Sequence, residues 1–149
     1  MLIRTHLAIT ALAIILFFSH VSSKIVFILT ALIVTFIPDI DHPISTLGQF
    51  KGFRFLQFFT KHRSFLHSFT FCILASLVLA LFFPVVSFAF FLAYSLHLLA
   101  DSFTVEGIKP FWPYPKKSTW RIRTGGKSET SIFVFFVLLD VLLLFYLIF

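Results

Sequence analysis

Apolar residues in this chain come in long blocks, without the alternation of a half-buried strand or the one-sided stripe of a surface helix. Five blocks stand out, at about residues 2–18, 25–37, 65–83, 85–103 and 131–149. A helix that crosses a hydrocarbon core about 30 Å thick needs roughly 20 predominantly apolar residues. The last three blocks have that length and the first two are shorter. A turn-sized polar break at 19–24 separates the first pair. Pro84 separates the third and fourth blocks and predicts a tight helical hairpin, because proline opens a helix but does not continue one. The two longer connections, 38–64 and 104–130, hold all five glycines and five of the six prolines. No internal repeat or linker divides the chain. The pattern predicts one all-α integral membrane domain over 1–149, with about five transmembrane helices.

Composition agrees with this pattern. The chain is 59% hydrophobic and 12% charged, against about 45–50% and about 25% in soluble domains. Disorder, a fibrous repeat and an ordinary water-soluble enzyme are excluded. The charge of +6 reports orientation before it suggests nucleic acid. With five spans, eleven of the twelve cations share the side of the N-terminus: Arg4, Lys51, Arg54, Lys61, Arg63, Lys109, Lys116, Lys117, Arg121, Arg123 and Lys127. Only Lys24 faces the other side. Short Lys/Arg-rich loops stay cytoplasmic, so the expectation is a multi-pass protein of the inner (plasma) membrane, N-terminus in and C-terminus out. Arg4, the apolar stretch 7–18 and Val21-Ser22-Ser23 also have the layout of a cleavable signal peptide, whose removal would take His6. The single cysteine, Cys72, excludes an intrachain disulfide and a Cys-rich zinc site.

Ionisable residues inside a membrane are costly and mark functional sites. Five histidines (His6, His42, His62, His67, His97) and three aspartates (Asp39, Asp41, Asp101) fall near the cytoplasmic ends of the expected spans. They come from four separate parts of the chain. His97 and Asp101 are four apart on one helical face, and His97 lies about 9 Å inside the end of its block at 1.5 Å per residue. The stretch Pro38-Asp39-Ile40-Asp41-His42-Pro43 sets two carboxylates and an imidazole just past the second block. His62 and His67 are five apart, so one straight helix cannot aim both at one point.

Imidazole mixed with carboxylate suits zinc. Manganese, iron or magnesium are the alternatives. Eight candidates exceed one tetrahedral ion; they fit two ions with a bridging carboxylate, or one ion with outer His–Asp pairs. The blander reading of each residue is a cap for Asp39 or Asp41, a helix-holding pair for His97 and Asp101, and a headgroup contact for His20. The convergence of eight residues on one side favours a metal. Asp140 lies mid-span, away from that depth, and has no catalytic role. Gly125-Gly126-Lys127-Ser128 ends like a phosphate-binding loop, but Arg121 stands where its first glycine belongs and no strand precedes it. The basic stretch 116–127, with Trp112, Tyr114 and Trp120 around it, reads first as a cytoplasmic loop with interfacial aromatics. Beside a metal, Arg121, Arg123 or Lys127 would also hold a phosphate. Glu106 and Glu129 are loop acids that could supply a further ligand.

The ordered set Thr5-His6, 37–43 with Leu47-Gly48, His62-Arg63 with His67-Ser68, and His97, Asp101, Thr104 and Gly107 ending in Phe111-Trp112-Pro113 resembles the YdjM-like, LexA-regulated family of membrane-bound metal-dependent hydrolases. Where the family usually reads His-Arg-Gly-x-Thr-His-Ser, this chain has Ser64 and Leu66. That family is distantly similar to zinc-dependent phospholipase C and the single-strand nucleases. The resemblance implies His6, Asp41, His67, His97 and Asp101 as first metal ligands. It leaves Asp39, His42 and His62 as further ligands, outer partners or the catalytic base.

These readings lead to the expectation of a hydrolase with one, two or more zinc-type ions at the cytoplasmic interface. Asp39 and His62 are then its catalytic candidates, and His6, Asp41, His42, His67, His97 and Asp101 its metal ligands. Arg63, Arg121, Arg123 and Lys127 are the substrate-binding cations. A site below the headgroups implies a lipid-like phosphoester in a bilayer, with nucleic acid not favoured and a homo-oligomer allowed. The rival is a non-enzymatic metal-binding or metal-transport protein. The almost wholly apolar outer half of the blocks disfavours a transport path.

Overall fold

The computed structural model describes residues 1–42, 45, 48–54 and 65–149. Among the described residues five α-helices carry the fold: α1 (Ile3–Phe17), α2 (Lys24–Thr35), α3 (Phe69–Phe82), α4 (Pro84–Ser102) and α5 (Lys127–Ile148). Short 3₁₀ turns follow at Pro38–Asp41 and Lys51–Phe53. Among the described residues there is no strand. Two isolated bridges, Thr104 with Ile122 and Ile108 with Ser118, stitch the connection between α4 and α5.

Helix ends depart from the apolar blocks where polar chemistry decides them. α2 stops at Thr35, not 37, because Pro38 brings no N–H to the ladder. The chain tightens instead: Phe36 N–H donates to Ile33 O and Ile37 N–H to Val34 O, the shorter spacing of a 3₁₀ turn. α3 starts at Phe69, not 65, because the Ser68 hydroxyl caps it, accepting from Phe71 N–H at 3.2 Å. Pro84 stands in the first turn of α4, as the hairpin reading expects. α5 begins one turn before its apolar block. That first turn is polar and includes Glu129, so hydropathy misses it.

α4 is the hub. It packs on α2, α3 and α1, whereas α5 leans mainly on α1. Ala31, Val34, Cys72, Ala93, Tyr94, Leu98 and Ile108 form the buried core, and the alanines allow close helix approach. The Tyr94 hydroxyl donates to Leu66 O at 2.7 Å, and Phe69 N–H donates to Pro110 O at 2.8 Å. These two bonds fix the turn before α3 against α4 and the following connection. In that connection Gly107 has φ +61, and a Cβ there would stand 2.1 Å from Ser118 O. Only glycine allows the two segments to approach this way. The Trp112–Pro113 peptide is cis.

α4 and α5, of 19 and 22 residues, are long and apolar enough to cross a membrane. α1, α2 and α3 have 15, 12 and 14 residues. At 1.5 Å per residue these three cover roughly 18–23 Å, short of a core about 30 Å thick. Two helices therefore meet the spanning length, where the apolar blocks lead to an expectation of about five spans. The outer face of α5 is apolar and bare, with Leu142 65% and Phe145 62% exposed. A continuous surface of that kind belongs in hydrocarbon or against a partner.

Candidate metal centre

Four donors meet at one end of the bundle. Asp39, His67, His97 and Asp101 each present one ligand-type atom, and all four atoms lie within 4.8 Å of one another. Asp39 arrives on the 3₁₀ turn after α2, His67 on the turn before α3, and His97 and Asp101 from one face of α4. His67 Nε2 is 3.3 Å from Asp39 Oδ1 and 3.7 Å from Asp101 Oδ2. His97 Nε2 is 3.8 Å from each of the same two oxygens. A tetrahedral ion with ligands at about 2.0–2.2 Å puts neighbouring donors about 3.3–3.6 Å apart. One of the four spacings falls in that range and the other three lie about 0.1–0.2 Å above it.

Outer contacts orient both imidazoles. His97 Nδ1 lies 2.8 Å from Thr35 O; a carbonyl only accepts, so this bond places the proton on Nδ1 and aims a lone pair at Nε2 toward the group. Asp41 Oδ2 stands 3.8 Å from His67 Nδ1, on the ring edge opposite Asp39. The 3₁₀ turn makes this bracket: residues two apart on it point in different directions. His6 stacks on His97, ring centroids 3.8 Å apart and planes within 2°, with its Nε2 3.3 Å from Asp101 Oδ1. The Met1 amino group also touches Asp101 Oδ1.

Burial makes this arrangement demanding. His6, His67, His97, Asp41 and Asp101 are all buried, while the Asp39 side chain is 23% exposed. His97 Nε2 and His6 Nδ1 are buried without a hydrogen-bond partner among the described residues. Such atoms are expensive unless something fills the gap between them. Two imidazole nitrogens and two carboxylates around it are the donor set of a divalent cation, so the residues present fit a metal. Without one, burial works to raise the Asp39 carboxyl, but the His67 hydrogen bond and the His97 and His67 charges outweigh it and hold the group well below the usual carboxylate range. Burial lowers His67, yet Asp39 and Asp41 overcome it and raise the ring to about 9.

The other expected site residues fall at several distances from this group. His42 follows the 3₁₀ turn, half-buried, and is not among the four grouped donors. His62 and Arg63 lie outside the described residues. Arg121, Arg123 and Lys127 are exposed. The backbone places the first two beside the end of α4: Trp120 N–H donates to Thr104 O at 3.0 Å, Ile122 N–H to Phe103 O at 3.2 Å, and Val105 N–H to Ile122 O at 2.9 Å. The Thr104 hydroxyl donates to Asp101 O at 2.7 Å and accepts from Gly107 N–H at 3.1 Å, which shapes the turn that brings this strip round. His20 is exposed and pairs with Ser19.

Two contributions escape a reading of the sequence. The Thr35 carbonyl that orients His97 is backbone and has no residue signature. Glu129 is fully buried and accepts from Leu2 N–H, the Thr5 hydroxyl and Gly125 N–H. It clamps the start of α5 to the start of α1, next to His6, and supplies no donor to the four-residue group. Its place in a polar first turn is the signal that could have found it.

The YdjM inner membrane protein family model matches residues 1–148, and the chain belongs to that family. Membership and the two long apolar helices together indicate a membrane protein. Neither the comparison with curated proteins nor that with solved structures finds a match.

Proposed function

We propose that this member of the YdjM inner membrane family is a metal-dependent hydrolase acting on a lipid-type phosphoester at the cytoplasmic face of the membrane. The observation that supports it is the convergence of Asp39, His67, His97 and Asp101, with carboxylate–imidazole spacings of 3.3–3.8 Å, close to those of ligands on one ion. Zinc is the ion that this donor set suits first. A divalent cation bound there supplies an activated water and a Lewis acid for a phosphoryl group.

The chain's own residues then divide the work. His67, His97 and Asp101 hold the cation from the buried side. Asp39 is the member open to solvent, so water and substrate enter past it, and its carboxylate is placed to accept a proton there. Asp41 and the Thr35 carbonyl set the orientation of the imidazoles. Arg121 and Arg123 stand beyond the end of α4 with fixed charge for a phosphoryl oxygen. All five helices cross or enter the bilayer in this reading, with the N-terminus inside. The three short ones thin the membrane locally, which brings headgroups down to the buried donors.

The test is elemental analysis of purified protein together with phosphate or headgroup release from phospholipid vesicles. About one zinc-type ion per chain and release that stops with chelator and in His97→Ala are expected. Bound metal with equal turnover in all three conditions defeats the enzyme reading and leaves a metal-binding protein. Absence of metal defeats both.

A further inference from the structure

Beside the metal group runs a second feature that the hydrolase reading does not use. A groove of about 720 Å³ opens between α1, α4 and α5. Its lining is apolar except for Ser131. Along α4 it is walled by Leu92, Leu96, Leu99 and Phe103. These recur at helical spacing on the face next to the one that carries His97 and Asp101. From Leu92 to Phe103 the groove follows α4 for about 16 Å, at 1.5 Å per residue. Leu16 and Phe17 line its far end, and Met1, Ala100 and Ile122 line the end nearest Asp101.

The end nearest Asp101 is where charge appears. Ala100 precedes Asp101, and the Met1 amino group touches the Asp101 carboxylate. Ile122 sits between Arg121 and Arg123, and its backbone is bonded to Phe103 and Val105. One end of the groove therefore joins the acid–imidazole group and two exposed arginines, while the rest is hydrocarbon in character. An apolar slot that follows α4 and ends beside fixed cations matches a molecule with an extended chain and an anionic head.

We propose that this groove holds one acyl chain of a lipid whose anionic phosphoester head lies between Arg121, Arg123 and the acid–imidazole group. The proposal rests on the hydrolase reading for the fate of the head, but not for the seating of the chain. Inside a membrane an acyl chain gains little by leaving other acyl chains, because lipid is as apolar as the groove. The groove's contribution is alignment: it fixes where the phosphorus sits.

The test uses full-length, chelator-treated protein in detergent, so no turnover intervenes. Lysophosphatidic acids of short, medium and long chain are offered in equal amounts, and the retained species are read by native mass spectrometry. Leu16→Trp narrows the far end and Leu99→Trp the end nearest Asp101; both positions are exposed on the helix surface, so folding tolerates them. Wild type should retain the long chain. Leu16→Trp should shift retention to shorter chains at least tenfold, and Leu99→Trp should lose all three species at least tenfold. Metal uptake should be unchanged in both. Inorganic phosphate, which has no chain, should compete for the head without changing the chain-length order. Retention indifferent to chain length, or unmoved by both substitutions, overturns the groove. Lipid held selectively by a protein that, once metal-loaded, releases no phosphate upholds the groove and defeats the hydrolase. Release from a soluble phosphoester with indifferent lipid retention does the reverse.

Discussion

α4 and α5 are the two long apolar helices of this protein, and each buries an aspartate. They use it in opposite ways. Asp101 on α4 faces His6 from α1, His67 from the turn before α3 and His97 one turn earlier on α4 itself, and lies in the middle of a packed hub. Asp140 on α5 sits on a helix that leans mainly on α1, and its Oδ1 has no hydrogen-bond partner among the described residues. The contrast teaches that a buried charge does not make a site. Several segments must deliver complementary donors to one point, and only the end of α4 is surrounded closely enough for that.

The largest expected effect breaks the comparison directly. Asp101→Ala should weaken metal binding at least a hundredfold, more than the tenfold to hundredfold typical of losing an outer partner. Asp140→Ala should leave the metal content unchanged. Titration with zinc against a competing chelator reads both. Equal losses would mean that the two helices do not differ as described.

A smaller effect concerns how α5 is held. Glu129→Ala removes the acceptor for three donors at the α1–α5 junction. Charge-assisted bonds of this kind contribute about 1.5–3 kcal/mol each at most, and they do not add fully. A destabilisation of about 2–3 kcal/mol in denaturant unfolding is expected, with the isolated metal stoichiometry retained. Loss of the metal together with the clamp would show that α5 belongs to the site after all.

The smallest effect sharpens the account of the metal group through pH. With no cation, His67 carries a proton up to about 9, whereas a cation needs the neutral ring. Apparent zinc affinity should therefore rise with pH, by no more than about tenfold per unit, and level off above about 9. Stability follows the opposite sign in the metal-free protein. A raised imidazole stabilises the fold fully below its ordinary value of 6.5, and that contribution is lost as pH rises through about 9. Thermal unfolding of chelated protein across that range checks it. An affinity flat in pH would remove His67 from the ligands.

Much of this was legible in the residues themselves. Hydrophobic blocks anticipated five helices, because burial in lipid or protein demands long apolar runs, and Pro84 marked the hairpin. The ends were less legible: Ser68, Pro38 and Glu129 shift them by local hydrogen bonding that hydropathy does not register. The acid and histidine motifs pointed to the end of the bundle where Asp39, His67, His97 and Asp101 meet. They did not rank its members, since Asp39 and Asp41 differ by two positions on a turn whose direction depends on packing.

The amino-acid sequence alone determined an all-helical, membrane-adapted chain with most of its ionisable residues toward one end, because composition and period follow from what lipid and water tolerate. Tertiary structure decided which of those residues share a centre. It turned Asp39 inward beside His67, held His97 through the Thr35 carbonyl, laid Arg121 and Arg123 past the tip of α4, and opened a groove beside them. Each of those facts is a distance between segments far apart in the chain, and such distances are fixed by helix packing and backbone hydrogen bonds, which no residue encodes by itself.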